Sequence, residues 1–320
     1  MKKIFSILTC ALTVMSIASC DWFELDNQDG YNASVYGKFV DKTGAPVYQE
    51  QGGAFNIYEK VSGGQAYIGR DWNQETSQSW TMKSNGTYVN RLVFAGDYYM
   101  KSLNANFVAD AQDFQLKKGE NQVDFTVNPY VRITDVNVSV QGDKYIATCK
   151  VTSDLPESTV NNVGQIRFCC FSDRFVSNAK NNISDKDAAS IVTNVDPKGG
   201  QTITLTINTK DPNNAYEFQY SNKPHYVRIA AIGAHYSIVP AWTETIEEMD
   251  WNSPLIDWDA IINSGFTDLS SVPVVKTIIE HPAEYKNDGA SNTQNKYNYS
   301  AVYKIYNGSV TEVTDWGDIK

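Results

Sequence analysis

Seven tryptophans stand in this chain, and five directly follow an aspartate: Trp22, Trp72, Trp251, Trp258 and Trp316. An indole face can stack on the C–H face of a sugar, while a nearby carboxylate accepts hydroxyl hydrogen bonds. Residue types of this kind therefore point to carbohydrate contact. Trp72 lies in the polar stretch GRDWNQETSQSW, which reads as a loop, and Trp80 opens the strand that follows. Trp251 and Trp258 flank the end of the second predicted unit. Trp72, Trp80, Trp251 and Trp258 are the candidate sugar platforms. Core packing, interdomain packing and protein contact are the competing uses of the same side chains. The irregular spacing of the pairs speaks against repeats.

Other chemistry finds little support. His225, His235 and His281 fall in no H-E-x-x-H pattern. The Cys169-Cys170 pair lacks the sequence partners that a zinc site requires, so no metal and no cofactor is expected. There is no G-x-S-x-G elbow and no P-loop, and Gly63-Gly64 and Gly199-Gly200 read as turns. Glu244, Glu247, Glu248 and Asp250 cluster in TETIEEMDW. A glycosidase needs two acids about 5–10 Å apart across a sugar cleft. These four are local neighbours, so they read as solvated edge charges, with a calcium or sugar-polar role as the lesser alternative. No catalytic residue is predicted, and the protein is not expected to be an enzyme.

Charge narrows the partners. Twenty-seven basic residues stand against 37 acidic ones, a net charge of −10. A nucleic-acid partner is disfavoured, because phosphate binding needs clustered Lys and Arg. The first residues follow a different logic. Lys2 and Lys3 precede an uncharged 14-residue run, Ile4 to Ile17, then Ala18, Ser19 and Cys20. That order describes a secretory signal. The run is shorter than the roughly 20 apolar residues a spanning helix needs. The Ile-Ala-Ser-Cys ending resembles a bacterial lipobox, which implies cleavage after residue 19 and lipidation of Cys20. Lipid chains would then hold the protein to the outer-membrane bilayer, each buried methylene contributing about 0.8 kcal/mol. Residues 20–32, with Asp21, Glu24, Asp26 and Asp29, read as an acidic tether. Its acidity resembles the surface-export signal of Bacteroidetes lipoproteins, which implies exposure at the cell surface. Beyond Cys10 in the leader and Cys20, only Cys149, Cys169 and Cys170 remain. An odd number makes no disulfide framework. Cys149 alternates with Ala147 and Val151 and should face a core. Buried free thiols are expected, with a bond from Cys149 to Cys169 or Cys170 as the alternative.

The elements that must position these residues are strands. Residues 33–128 show short alternating segments separated by turn chemistry at Lys42-Thr43-Gly44, Ser84-Asn85-Gly86, Ala95-Gly96-Asp97 and Lys118-Gly119-Glu120. Asn-Gly between apolar runs is a strong hairpin signal. A period of two in TYVNRLVFAGDYYM puts Tyr88, Asn90, Leu92 and Phe94 on one face. No helical period appears, so the unit should be a β-sandwich. The motif V-x-G-x-x-x-D-x-x-G-x-P-V (Val35, Gly37, Asp41, Gly44, Pro46, Val47), with Asn85-Gly86-x-Tyr88 and Gly96-Asp97-Tyr98, resembles the carboxypeptidase-regulatory-like domain. That resemblance implies a transthyretin-like sandwich without catalysis.

Residues 129–251 supply further strands: RITDVNVSVQGDKYIATCKVTS, VGQIRFCCFSD, QTITLTINT and HYVRIAAIGAHYS. The last resembles the penultimate strand of fibronectin type III or immunoglobulin-like domains. Val227, Ile229 and Ala231 should face the core, Arg228 and Ala230 outward. His225 holds the place where that family usually has a tyrosine, which weakens a tyrosine-corner reading. The full order of parts resembles the domain-of-unknown-function-3823 lipoproteins of Bacteroidetes, over roughly residues 20 to 250. The resemblance implies tandem β-sandwiches and a surface accessory beside SusC/SusD-type glycan-uptake proteins, with polysaccharide as a partner. It carries over no catalytic residue.

Residues 252–320 are less regular. SPLIDWDAIINSGFTDL suggests a helical turn or two, VPVVKTIIEHP a strand, and KYNYSAVYKIYNGSVTEVTDW a hairpin around Asn307-Gly308. They are read as a small, mostly β C-terminal extension or module, with extra strands for the second sandwich as the alternative. The fold class is all-β. The function expected is a non-enzymatic outer-membrane surface lipoprotein with carbohydrate-binding capacity. The alternative is an adhesion or structural subunit that contacts proteins through sheet edges.

Overall fold

The computed structural model describes residues 30–60, 76–101, 105–220, 222–287 and 296–316. The first domain holds β1 (Ala33–Val40), β2 (Ala54–Lys60), β3 (Ser77–Thr81), β4 (Thr87–Val93), β5 (Gly96–Lys101), β6 (Phe107–Val108), β7 (Gln112–Leu116), β8 (Gly119–Gln122) and β9 (Phe125–Thr126). One sheet runs β4-β1-β8, with β9 pairing further along β1, and the other runs β3-β2-β5-β7. Alternating residues of β1 point inward, among them Ala33, Val35 and Phe39. Phe39 packs at 4.8 Å from Phe55, 5.1 Å from Phe107, 5.3 Å from Phe125 and 5.7 Å from Tyr88. Gly37 explains the glycine of the motif. A Cβ there would sit 1.7 Å from the carbonyl oxygen of Val123, so only glycine lets the two backbones meet.

The period-two reading of β4 holds only in part. Tyr88 is buried, but Leu92 is exposed and Val93 takes the inward place. β1 pairs Val35 with Asn90 and Ala33 with Val93, so β4 carries one extra residue between those pairs. A bulge of this kind flips every side chain beyond it.

Asp41 is the hinge of the motif. Its carboxylate accepts from the Thr43 amide at 2.8 Å, the Thr43 hydroxyl at 2.5 Å and the Ala45 amide at 3.1 Å. It also pairs with Arg132 of the second domain at 2.8 Å. Burial raises its pKa, but those hydrogen bonds and the guanidinium outweigh burial and hold the carboxyl below its ordinary value. The stabilisation is therefore complete above the unfolded carboxylate range near about pH 4. It is lost as the pH falls through the lower folded value. Asp41→Ala should lower the urea midpoint at neutral pH, by about 1–2 kcal/mol in stability. The same variant should differ less from the parent in strong acid.

The second domain contains β11 (Arg132–Gln141), β12 (Lys144–Thr152), β13 (Asn162–Phe171), β14 (Ile191–Val195), β15 (Thr202–Asn208) and β16 (His225–Ala234), while β10 (Asn128–Pro129) pairs back onto β6. The sheet β11-β12-β15 faces a larger one in which β14, β13 and β16 are neighbours. Val227, Ile229 and Ala231 face the core between them, as expected, together with Cys149 and Cys170. All three downstream cysteines are free and buried. Burial pushes Cys149 and Cys169 up to about 12, and Cys170 well above its ordinary value. The thiolate is the reactive form. None of the three should react with a thiol reagent in the native protein, and all should react in denaturant, which a colorimetric thiol assay reads directly.

The C-terminal strands correct the expectation of a separate module over residues 252–320. β21 (Tyr297–Tyr299), β22 (Tyr303–Tyr306) and β23 (Ser309–Glu312) join the larger sheet of the second sandwich, β21 and β22 both pairing with β16. The hairpin at Asn307-Gly308 is as predicted, both residues taking positive φ. What intervenes is an insertion between neighbouring strands of one sheet. β17 (Tyr236–Val239) pairs with β20 (Glu284–Asn287), and β18 (Trp242–Met249) with β19 (Val274–His281). Residues 236–287 thus form a two-stranded antiparallel arm, so a boundary at residue 251 falls inside that arm and not at the edge of a domain.

Arg228 also departs from expectation, and instructively. It points away from the core of its sandwich, as its register requires, yet it is fully buried. The face it occupies is covered by the first domain together with Val176, Tyr299 and Ser300 of its own domain. Its guanidinium donates to the carbonyl oxygens of Ser300 at 2.8 and 3.2 Å, Gln49 at 3.1 Å, Val176 at 3.3 Å and Ser84 at 3.5 Å. The ring of Tyr299 lies 4.4 Å from it. Asn106 adds a second link, donating to Tyr48 at 2.9 Å and to Tyr297 at 3.0 Å.

Candidate functional site

Most of the exposed apolar surface of the described residues lies on the arm. Among the described residues, 18 large apolar side chains are exposed, and 12 of these lie between residues 239 and 279. Among the described residues, the stalk has no third strand on either side. Its faces mix chemistry. Glu247 is paired with Lys276 at 2.5 Å, and Trp242 lies flat on His281 with centroids 4.1 Å apart and planes 8° from parallel. The His281 ring in turn meets Glu244 at 3.1 Å. Two lysines stand against nine carboxylates over residues 236–287, which makes the arm a poor seat for an anionic partner.

At the tip the chain turns through residues 250–273 around a small core of Ile256, Ile261 and Val272 with Leu269. The helix Trp258–Asn263 is started by Asp257, whose side chain accepts from the Ala260 amide at 2.9 Å. Asp250 does the same for the turn before it, accepting from Asn252 at 3.1 Å. This is the ordinary capping chemistry of aspartate. It places the following tryptophans on one side of the tip. Trp251 and Trp258 lie with ring centroids 6.3 Å apart and tilted by 34°, and are 44% and 47% exposed. Leu255, Ile262 and Phe266 are exposed nearby in the chain. Two half-exposed indoles on a braced loop can stack on the C–H faces of a sugar, with acidic neighbours to accept hydroxyl hydrogen bonds.

The other candidates fare differently. Trp80 is not a platform. It is buried in the first sandwich, edge-on to Phe55 at 6.0 Å, because its place in β3 is on the inward face. Trp72 and Cys20 lie outside the described residues. Trp316 packs at the domain junction beside Phe175 and Arg174. Trp242 follows Ala241 and so falls outside the aspartate–tryptophan pattern. Its signal was its place in a strand, TETIEEM, whose neighbours are too polar for a core. Among the described residues, no helix is long and apolar enough to cross a membrane.

Two joined β-sandwiches with a ribbon arm inserted in the second define the class. Residues 33–128, the first sandwich, match the family model described as "Protein of unknown function (DUF3823) N-terminal domain". That match falls on the residues whose motifs suggested the resemblance. Among solved structures, it is similar to one from Bacteroides uniformis described as a candidate carbohydrate binding protein, with 23% identity and a TM-score of 0.55, over 87% of this chain and 100% of that one. It is also similar to a DUF3823 family protein from Parabacteroides merdae, with 16% identity and a TM-score of 0.50, over 64% of this chain and 92% of that one. No curated protein matches the sequence.

Proposed function

We propose that this protein is a non-enzymatic lipoprotein of the outer-membrane surface that binds polysaccharide through the tip of its arm, as an accessory to a SusC/SusD-type uptake system. The observation that carries the reading is the exposed Trp251–Trp258 pair, 6.3 Å apart on a capped and internally packed loop. A soluble domain usually hides such rings. The carbohydrate binding ascribed to the Bacteroides uniformis relative supports the same class of ligand. The leader and Cys20 support the anchoring. The second reading, a protein-contact arm, draws on the two-stranded form of the ribbon among the described residues, since a two-stranded ribbon is marginal in water and gains from a partner. Intact cells treated with protease test the placement: the protein should be clipped at the surface, and Cys20→Ala should release it from the membrane. Sedimentation with insoluble polysaccharide tests the activity. Co-sedimentation unaffected by Trp251→Ala and Trp258→Ala would move the function off the tip.

A further inference from the structure

A separate cluster lies at one end of the second sandwich, remote in sequence from the arm tip. Cys170 sits opposite Val227 in the β13–β16 ladder, and His225 precedes Val227 by two, so both side chains project to the inner face. Glu217 reaches the same point from the short helical segment Ala215–Phe218. Its Oε1 lies 2.9 Å from His225 Nδ1 and 3.8 Å from Cys170 Sγ. The three ligand atoms all lie within 4.8 Å of one another, and all three residues are buried. Asn182 donates to the other carboxylate oxygen at 2.7 Å and fixes the carboxylate's orientation. Cys170 thus has, in space, partners that its sequence neighbourhood does not show.

Hydrogen bonding alone could satisfy such a cluster, but it is an expensive way to close the end of a sandwich. A carboxylate buried with a thiol and an imidazole loses more hydration than neutral partners return. A cation among the three would resolve this. Tetrahedral zinc sets its sulfur, nitrogen and oxygen ligands at about 2.0–2.3 Å, hence roughly 3.3–3.6 Å from one another. The pairs through Glu217 are already close to that spacing. Sulfur, nitrogen and oxygen together suit a borderline-soft ion and not calcium or magnesium. Glu217 and His225 also line a cavity of about 250 Å³, which gives an entry path and room for a water as fourth ligand.

We propose that Cys170, Glu217 and His225 form a divalent transition-metal site, with zinc as its natural occupant. On binding, the thiol proton leaves to water, the sulfur coordinates as thiolate, and the imidazole presents its Nδ1 lone pair with its proton on Nε2. The ion then ties the helical segment to two strands of the larger sheet, a structural role distinct from glycan binding.

Cobalt(II), titrated into the full chain under reducing conditions, tests this. The expected result is one equivalent bound, a thiolate-to-cobalt charge-transfer band, tetrahedral visible bands, and displacement of all of these by zinc. His225→Gln and Glu217→Gln keep volume and hydrogen bonding, and each should weaken binding by about 100-fold or more, since even outer-shell partners of a metal carry 10–100-fold. Cys170→Ser should remove the charge-transfer band, whereas Cys149→Ser should leave it unchanged. Metal-free melting curves establish that each variant is folded. Should Cys170→Ser fail to fold, the His225→Gln and Glu217→Gln titrations decide. Absence of a saturable one-equivalent site in the parent chain would overturn the proposal, as would a band that persists undiminished in both of those variants.

Discussion

Replacing Arg228 with alanine should be strongly destabilising, lowering stability by at least about 3 kcal/mol. The guanidinium spends all five of its N–H groups on main-chain carbonyls of four residues, Gln49, Ser84, Val176 and Ser300. Two of these belong to the first domain and two to the second. Removing the side chain leaves those acceptors buried with no donor, and leaves a cavity beneath Tyr299. Burial draws the guanidinium's pKa down to about 10, which still leaves it charged at neutral pH. Arg228→Lys keeps the charge but has three donors and no planar face for Tyr299, so it should fall between the parent and the alanine variant. Urea denaturation followed by tryptophan fluorescence measures both. A midpoint for Arg228→Ala equal to the parent's would show that the junction does not depend on this residue.

The second large effect is on binding. Trp251→Ala or Trp258→Ala should each weaken polysaccharide binding roughly tenfold or more, as loss of an aromatic anchor does at other recognition surfaces. Both indoles are about half exposed, so folding stability should move by no more than about 1 kcal/mol. That separation of effects distinguishes a binding surface from a packing surface. Trp80→Ala should behave in the opposite way, because it opens a cavity among Phe55, Tyr88 and Phe114, at a cost of about 3–5 kcal/mol.

Which features were legible in the sequence follows from how local their causes are. The Asp41 turn, the Asn85-Gly86 and Asn307-Gly308 turns and the inward alternation of Val227, Ile229 and Ala231 each depend on a few adjacent residues. All were readable. The bulge that turns Leu92 outward depends on pairing with β1, so alternation alone misplaced it. Arg228 was correctly placed on the outer face of its sandwich. That this face is covered follows from the docking of the first domain and from the return of Val176, Tyr299 and Ser300 onto it, which no local pattern encodes. The return of β21 to β23 to the edge of β16 spans an insertion of more than 50 residues, a non-local pairing invisible to periodicity. At the candidate site the tryptophans were found for a partly different reason than the one that places them. Asp250 and Asp257 precede them as turn and helix caps, and their first bonds are to the backbone. The cluster of Cys170, Glu217 and His225 was missed because its members are 47 and 8 residues apart and meet only through the sheet and a short helical segment.

The measurement that bears most directly on the central claim is native gel electrophoresis of the full chain through a panel of host and plant polysaccharides, with Trp251→Ala and Trp258→Ala beside it. Retarded migration is expected in at least one glycan, reduced or lost in both variants while their melting curves match the parent's. Unretarded migration in every glycan, or retardation undiminished in both variants, would contradict it.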